Sequence, residues 1–311
     1  MQLLQYRLAL HFHRKLVLIA SLCFYITIGN AQVTADVTPV SSHEEAIALV
    51  SRISSLKPSV VWTNVSPYKF LQNLKENIQR PLDLYEGSNT NFCGYAALSY
   101  LPLHDNPVGY IRFMLDLYEN GKARYGNVFL NPSDEIKKAA GTLKFKGILD
   151  IRPADQMWFL TLADHFKGYV NFFNKHYQPG DENTFWASVN YAKFNRMARK
   201  LFNYKVSPRG SDLKHPSIHG LYNYLNKSLQ SGITVLYLNN AYLYKKKHNT
   251  LRPGIPTHYV ILLNIFQPNK NGLITIIYWD YGFRSLRQVS PAFLKKIIFG
   301  ITHVDKKSAN G

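Results

Sequence analysis

From residue 43 to residue 231 the apolar side chains recur mainly every third or fourth position; beyond Gly232 they fall into short, nearly unbroken blocks. The first pattern predicts amphipathic helices and the second predicts strands. Helices are expected over 43–53, with Glu44 and Glu45 in the first turn, and over 67–78, closed by Pro81. A polar run from Gly87 to Asn91 gives way to Phe92-Cys93-Gly94-Tyr95-Ala96-Ala97-Leu98, which predicts a helix starting near Cys93 with Asn91 as N-cap. Further helices follow over 108–119, 131–141, 153–166, 181–204 and 216–229. Strands are expected over 233–238, 257–266, 272–279 and 300–304, with a short helix over 290–298 before the last. The turn-forming Pro268-Asn269-Lys270-Asn271-Gly272 joins the second and third strands into a hairpin. Helices first and an antiparallel sheet last is an α+β domain.

The first 31 residues follow another rule. Arg7, Arg14 and Lys15 precede an uncharged apolar core over 16–28, and Gly29-Asn30-Ala31 offers small residues for cleavage before Gln32. That is the layout of a signal peptide. The core is short for a membrane span, although an uncleaved anchor is the alternative. Leu22 is too bulky for Cys23 to be a lipidation site. The predicted division is a signal peptide over 1–31, a linker and helical arm over 32–86, the main domain over 87–304 and a tail over 305–311. No apolar run long enough to span a membrane remains after the leader, and the protein is expected to be exported, periplasmic or extracellular.

The whole chain carries 37 Lys and Arg against 19 Asp and Glu, a net charge of +18; without the leader's three basic residues it is +15. Such a charge favours anionic polymers and surfaces as partners. Nucleic-acid binding would rest on charge alone, and export argues against it. Of the two cysteines only Cys93 survives leader removal. A lone thiol in an exported chain is intermolecular, reactive or buried. At a helix start, free backbone N–H groups favour its thiolate, and Gly94 beside it leaves room for a substrate backbone. The competing reading is a buried structural cysteine.

A thiol nucleophile needs a base, and the base needs an orienting group. His258 stands at the mouth of the 257–266 strand, and Asp280 ends the strand expected to pair with it. Across that hairpin the two fall at the same end of the sheet. The competing readings are a satisfied strand histidine and a turn aspartate. His215 and His219 are spaced like metal ligands, but Pro216 interrupts the face and no third ligand is evident. Lys245-Lys246-Lys247-His248 reads as a solvated loop or a cationic flank of a cleft. There is no glycine-rich phosphate loop and no paired-cysteine metal motif.

The runs Asn91-Phe92-Cys93-Gly94-Tyr95-Ala96-Ala97-Leu98, Thr257-His258-Tyr259-Val260-Ile261-Leu262 and Tyr278-Trp279-Asp280-Tyr281-Gly282 resemble the papain-like cysteine peptidases, most closely the bacterial C39-like branch. The resemblance spans roughly 87–304. It implies a papain-like fold and a cofactor-free peptidase or amidase, acting on peptides or cell-wall stem peptides. Cys93 would be the nucleophile, His258 the general base and Asp280 its orienting partner. That branch usually carries a glutamine where this chain has Gly87, so the resemblance leaves the oxyanion donor to Asn89 or Asn91. Loss of such a donor costs about 10²–10³ in rate. The alternative is a catalytically silent module of the same fold that binds an anionic polymer or cell surface.

Overall fold

Residues 40–87, 89–144, 151–244 and 254–305 are described by the computed structural model, without the side chains of Tyr242 and Tyr244. The expected leader, nearly all of the linker, the Lys245–His248 run and residues 306–311 lie outside them. All described residues belong to one compact unit.

The chain enters through α1 (His43–Ser51), whose Ser42 hydroxyl accepts from the Glu45 N–H while the Glu45 carboxylate accepts from the Ser42 N–H, a reciprocal cap. α2 (Pro67–Gln79) and a 3-10 turn (Pro81–Asp83) lead to α3 (Cys93–Asp105) and α4 (Pro107–Asn120). α4 stops at Gly121, which takes φ +71° in the left-handed region, as expected for an Asn-Gly terminus. A small hairpin, β1 (Ala123–Tyr125) and β2 (Val128–Leu130), precedes α5 (Asp134–Ala139), α6 (Pro153–His165) and α7 (Tyr191–Phe202). Strand β3 (Val206–Gly210), α8 (Leu221–Ser231), β4 (Gly232–Leu238) and α9 (Asn240–Tyr244) come next. The chain continues through β5 (His258–Phe266), β6 (Ile274–Asp280), β7 (Phe283–Val289), α10 (Pro291–Ile297) and β8 (Ile298–Asp305).

Six strands form one antiparallel sheet in the order β3-β8-β4-β5-β6-β7. Val235, Tyr237, Tyr259, Ile261 and Trp279 face the helical core that holds α1–α4, α6 and α7. Leu236, Leu238, Val260, Leu262, Ile276 and Tyr278 face the other way, under α8 and α10. Burial on both faces is why these strands read as apolar blocks rather than as alternation. The architecture is α+β. Among the described residues no helix is long and apolar enough to cross a membrane.

Two expectations need correction. The helix expected over 181–204 is broken: a 3-10 turn (Asp181–Asn183) and irregular chain precede α7. The Asn171 amide donates to the carbonyls of Phe185, Trp186 and Ser188, which are thereby turned from helical pairing toward a side chain. Phe185 consequently points to solvent while Val189 and Phe194 pack inside. The helix expected from 216 starts only at Leu221, because Gly220 takes a left-handed φ of +62°. Strands β3 and β7 gave no apolar signal. Both are edge strands, and β3 carries Pro208, which an edge tolerates.

Candidate active site

Cys93 is the first residue of α3, and the preceding loop is fixed from both sides. The Thr90 hydroxyl donates to the Glu86 carbonyl at 2.5 Å and accepts from the Phe92 N–H at 3.3 Å. Asn91 is tied across to the 3-10 turn before α7: its backbone N–H donates to the Glu182 carbonyl at 2.7 Å and its side-chain amide to the Thr184 carbonyl at 2.8 Å. The N-cap is Phe92 rather than Asn91, and no side chain caps the helix. Phe92 is fully buried against Tyr95 and Phe159, so burial rather than capping chemistry sets the start. Gly94 is not an opening for substrate. A Cβ there would lie 2.7 Å from Cβ of Val189, whose side chain fills that space.

The imidazole is built from the other end of the molecule. Leu238 on β4 pairs with His258 on β5, and β6 runs back beside β5 so that Asp280 ends next to His258. His258 Nε2 is hydrogen-bonded to Asp280 Oδ1. Beyond Asp280, Tyr281 and Gly282 both take positive φ, +49° and +78°, in the two-residue turn between β6 and β7. That backbone belongs to the primed hairpin turns and costs a non-glycine residue on the order of 1 kcal/mol. It lays the Tyr281 ring on the imidazole, with centroids 4.4 Å apart and planes at 17°. The Tyr281 hydroxyl accepts from the Asn240 amide at 3.1 Å, which braces the stack.

A fourth side chain, not read from the sequence, completes the cluster. Glu86 is fully buried, its Oε1 is 3.9 Å from His258 Nε2, and neither carboxyl oxygen has a hydrogen-bond partner. Trp279 Nε1 donates to the Leu82 carbonyl at 2.8 Å, pinning β6 to the segment that delivers Glu86. Gly87 then turns the chain with φ +85°, a conformation that a glutamine at this position would hold only under strain. The signal in the sequence was a lone acid between the apolar Leu84-Tyr85 and a glycine.

Asn89 is exposed to solvent. With the Asn91 amide committed to Thr184, the described geometry gives neither asparagine a donor aimed at the sulfur. His215 Nδ1 pairs with the Ile298 carbonyl at 2.7 Å, and His219 is exposed; they form no three-ligand group among the described residues.

The electrostatics of the site follow from burial. Cys93 is partly exposed, whereas His258, Asp280 and Glu86 are sealed. Burial first, and then the Glu86 carboxyl, push the Cys93 thiol up to about 12; the N–H groups of Tyr259 and Gly94 face the sulfur and offset part of this. The helix start therefore does not by itself yield a thiolate. Burial lowers His258 and so keeps the imidazole neutral, with a lone pair to accept a proton. Burial also raises Asp280. Glu86 is pushed well above its usual range, by burial first and then by the Asp280 charge. Asp280 has a hydrogen-bond donor available and Glu86 has none, so of the two acids Glu86 is the one held protonated.

No family model and no curated protein matches the chain.

The site's chemistry is thus read from its atoms. With Asp280 ionised, Nε2–H donates to it and Nδ1 carries the free lone pair. Among the described residues no hydrogen bond joins Cys93 to His258, although the sulfur faces the N–H of Tyr259, the next residue along. Glu86, His258 and Asp280 also bring ligand atoms within 4.8 Å of one another, close enough to converge on one divalent cation. Such an ion would take the same atoms that make the His258–Asp280 hydrogen bond.

Proposed function

We propose that the protein is an exported papain-like thiol hydrolase, a peptidase or amidase. The observation that carries this reading is a partly exposed cysteine at a helix start whose sulfur faces the Tyr259 N–H, one residue along from a sealed His258 that is hydrogen-bonded to Asp280. Because the thiol is protonated at rest, His258 acts as a general base during attack rather than through a preformed ion pair. The sulfur attacks the amide carbonyl carbon while Nδ1 takes the thiol proton. Donation to the oxyanion falls to the Cys93 N–H at the start of α3, since the Tyr95 and Ala96 N–H groups already donate to the Phe92 carbonyl and the Gly94 N–H faces the sulfur. The C–N bond breaks as the imidazolium returns the proton to the leaving amine, and water then hydrolyses the thioester. Asp280 holds the ring and offsets the imidazolium charge.

Peptides, or the stem peptides of cell-wall polymer, are the substrate class this reading favours. The basic surface suits the anionic neighbours of the latter. The test is incubation of the purified chain with unfolded proteins and with stem peptides, followed by mass spectrometry. Cleavage that disappears in Cys93→Ala supports the proposal, and cleavage that survives this change overturns it.

A second reading rests on the thiol, which is pushed up to about 12. A sulfur so reluctant to ionise also suits a silent module that keeps the fold for binding an anionic polymer. It predicts that Cys93→Ala leaves polymer binding unchanged and that no substrate is turned over.

A further inference from the structure

A cavity of about 750 Å³ opens between the C-terminal parts of α6 and α7 and the β1–β2 hairpin, and none of the residues that line it belongs to the Cys93–His258–Asp280–Glu86 group. Its rim carries five basic groups: His165, Lys167, Arg196, Arg199 and Lys200. The hairpin is held tightly against α7, since a Cβ on Gly126, at φ +54°, would lie 2.7 Å from the Leu201 carbonyl oxygen. Phe129 and Phe166 add apolar wall.

The basic groups are poorly neutralised. Among the described residues none of the five forms an ion pair with a carboxylate. Asp164 is the acid that acts on both His165 and Lys167, and its Oδ2 already accepts from the Ser133 N–H at 2.8 Å. The Arg196 guanidinium, midway along α7, donates to the Lys167 carbonyl and ties the segment that follows α6 to that helix. Lys167 is lowered to about 8, by burial first, with Asp164 and Asp181 opposing. The α7 carbonyl terminus favours Arg199 and Lys200 as the α6 terminus favours His165. The Lys167 ammonium, two residues past α6, donates to the Ala163 carbonyl at 2.9 Å and lies over the Trp186 ring. These cations are thus held by carbonyls and dipoles, without a carboxylate partner among the described residues.

We propose that this cavity binds a compact ligand carrying two or more phosphate groups. Guanidinium groups match phosphate oxygens in pairs and ammonium groups supply point charge, and the concave walls limit the ligand to small size. This site is independent of the thiol chemistry.

Isothermal titration of the full chain with tripolyphosphate, beside inorganic monophosphate, tests the proposal. One saturable site is expected, tighter for tripolyphosphate, and weakened roughly tenfold or more in an Arg199→Ser/Lys200→Ser double variant. A Lys227→Ser/Lys296→Ser control, with the same loss of charge on exposed positions of α8 and α10, should bind within about twofold of the unchanged protein. Cys93→Ala should bind as the unchanged protein does. Flotation with phosphatidylcholine vesicles carrying phosphatidylinositol bisphosphate separates the sources: flotation lost in the Arg199/Lys200 variant assigns a lipid headgroup, and titration without flotation assigns a soluble ligand. The proposal is overturned by absence of saturable tripolyphosphate binding, by equal weakening in both double variants, or by a single-stranded oligonucleotide binding that both variants weaken alike.

Discussion

Glu86 Oε1 stands 3.9 Å from His258 Nε2, with both residues sealed from solvent. A carboxyl whose folded value lies above its ordinary 4.5 holds its proton more tightly folded than unfolded. Its contribution to stability is therefore full below pH 4.5 and is lost as pH rises through the folded value. Glu86→Gln keeps the shape without the titration. The variant should gain stability relative to the unchanged protein as pH increases above 4.5, by at most about 1.4 kcal/mol per pH unit. Denaturant melts at a series of pH values check this, and parallel curves would contradict a protonated Glu86.

Asp280 acts on the ring through a single hydrogen bond, so two substitutions should separate. Asp280→Ala removes the acceptor and should lower Cys93-dependent turnover by on the order of 10²-fold or more. Asp280→Asn keeps a carbonyl oxygen for Nε2–H and should fall between Ala and the unchanged residue. Equal losses in the two variants would mean that the carboxylate charge, not the fixed tautomer, is the dominant contribution. Thermal melts of both variants show whether the fold is retained.

Gly94→Ala tests the contact that replaced the expected substrate opening. Its Cβ would meet Val189 Cβ at 2.7 Å, an atom fixed to the backbone rather than the end of a flexible side chain. A destabilisation of about 1–3 kcal/mol is expected. A neutral result would return that space to a substrate.

Zinc should inhibit. Glu86, His258 and Asp280 can bind one ion only by giving up the His258–Asp280 hydrogen bond. Micromolar Zn²⁺ should therefore suppress Cys93-dependent hydrolysis, and EDTA should restore it without raising the rate of untreated protein. Turnover that needs added metal would favour a metal-dependent reaction instead.

The helices around Cys93 and the 257–279 hairpin were legible because their signals are local: apolar period, Asn-Gly and Pro-Asn turns. His258 and Asp280 could be paired because antiparallel register follows from the turn between their strands. The approach of Glu86 to His258 was not legible, since it depends on Trp279 binding the Leu82 carbonyl across 197 residues of sequence. The loss of helix over 184–190 was equally hidden, set by one amide at Asn171. The thiol was misread for a related reason. A helix start is visible in sequence, but the burial and neighbouring acid that outweigh it are tertiary.

The most direct test of the central claim is the pH dependence of iodoacetamide labelling at Cys93 in the unchanged protein and in His258→Ala. If the imidazole takes the thiol proton, the unchanged protein should label through neutral pH. The variant should react only along an alkaline limb, and should be slower near pH 7 by roughly 10² or more. Two superimposed profiles, with both chains folded, would contradict it.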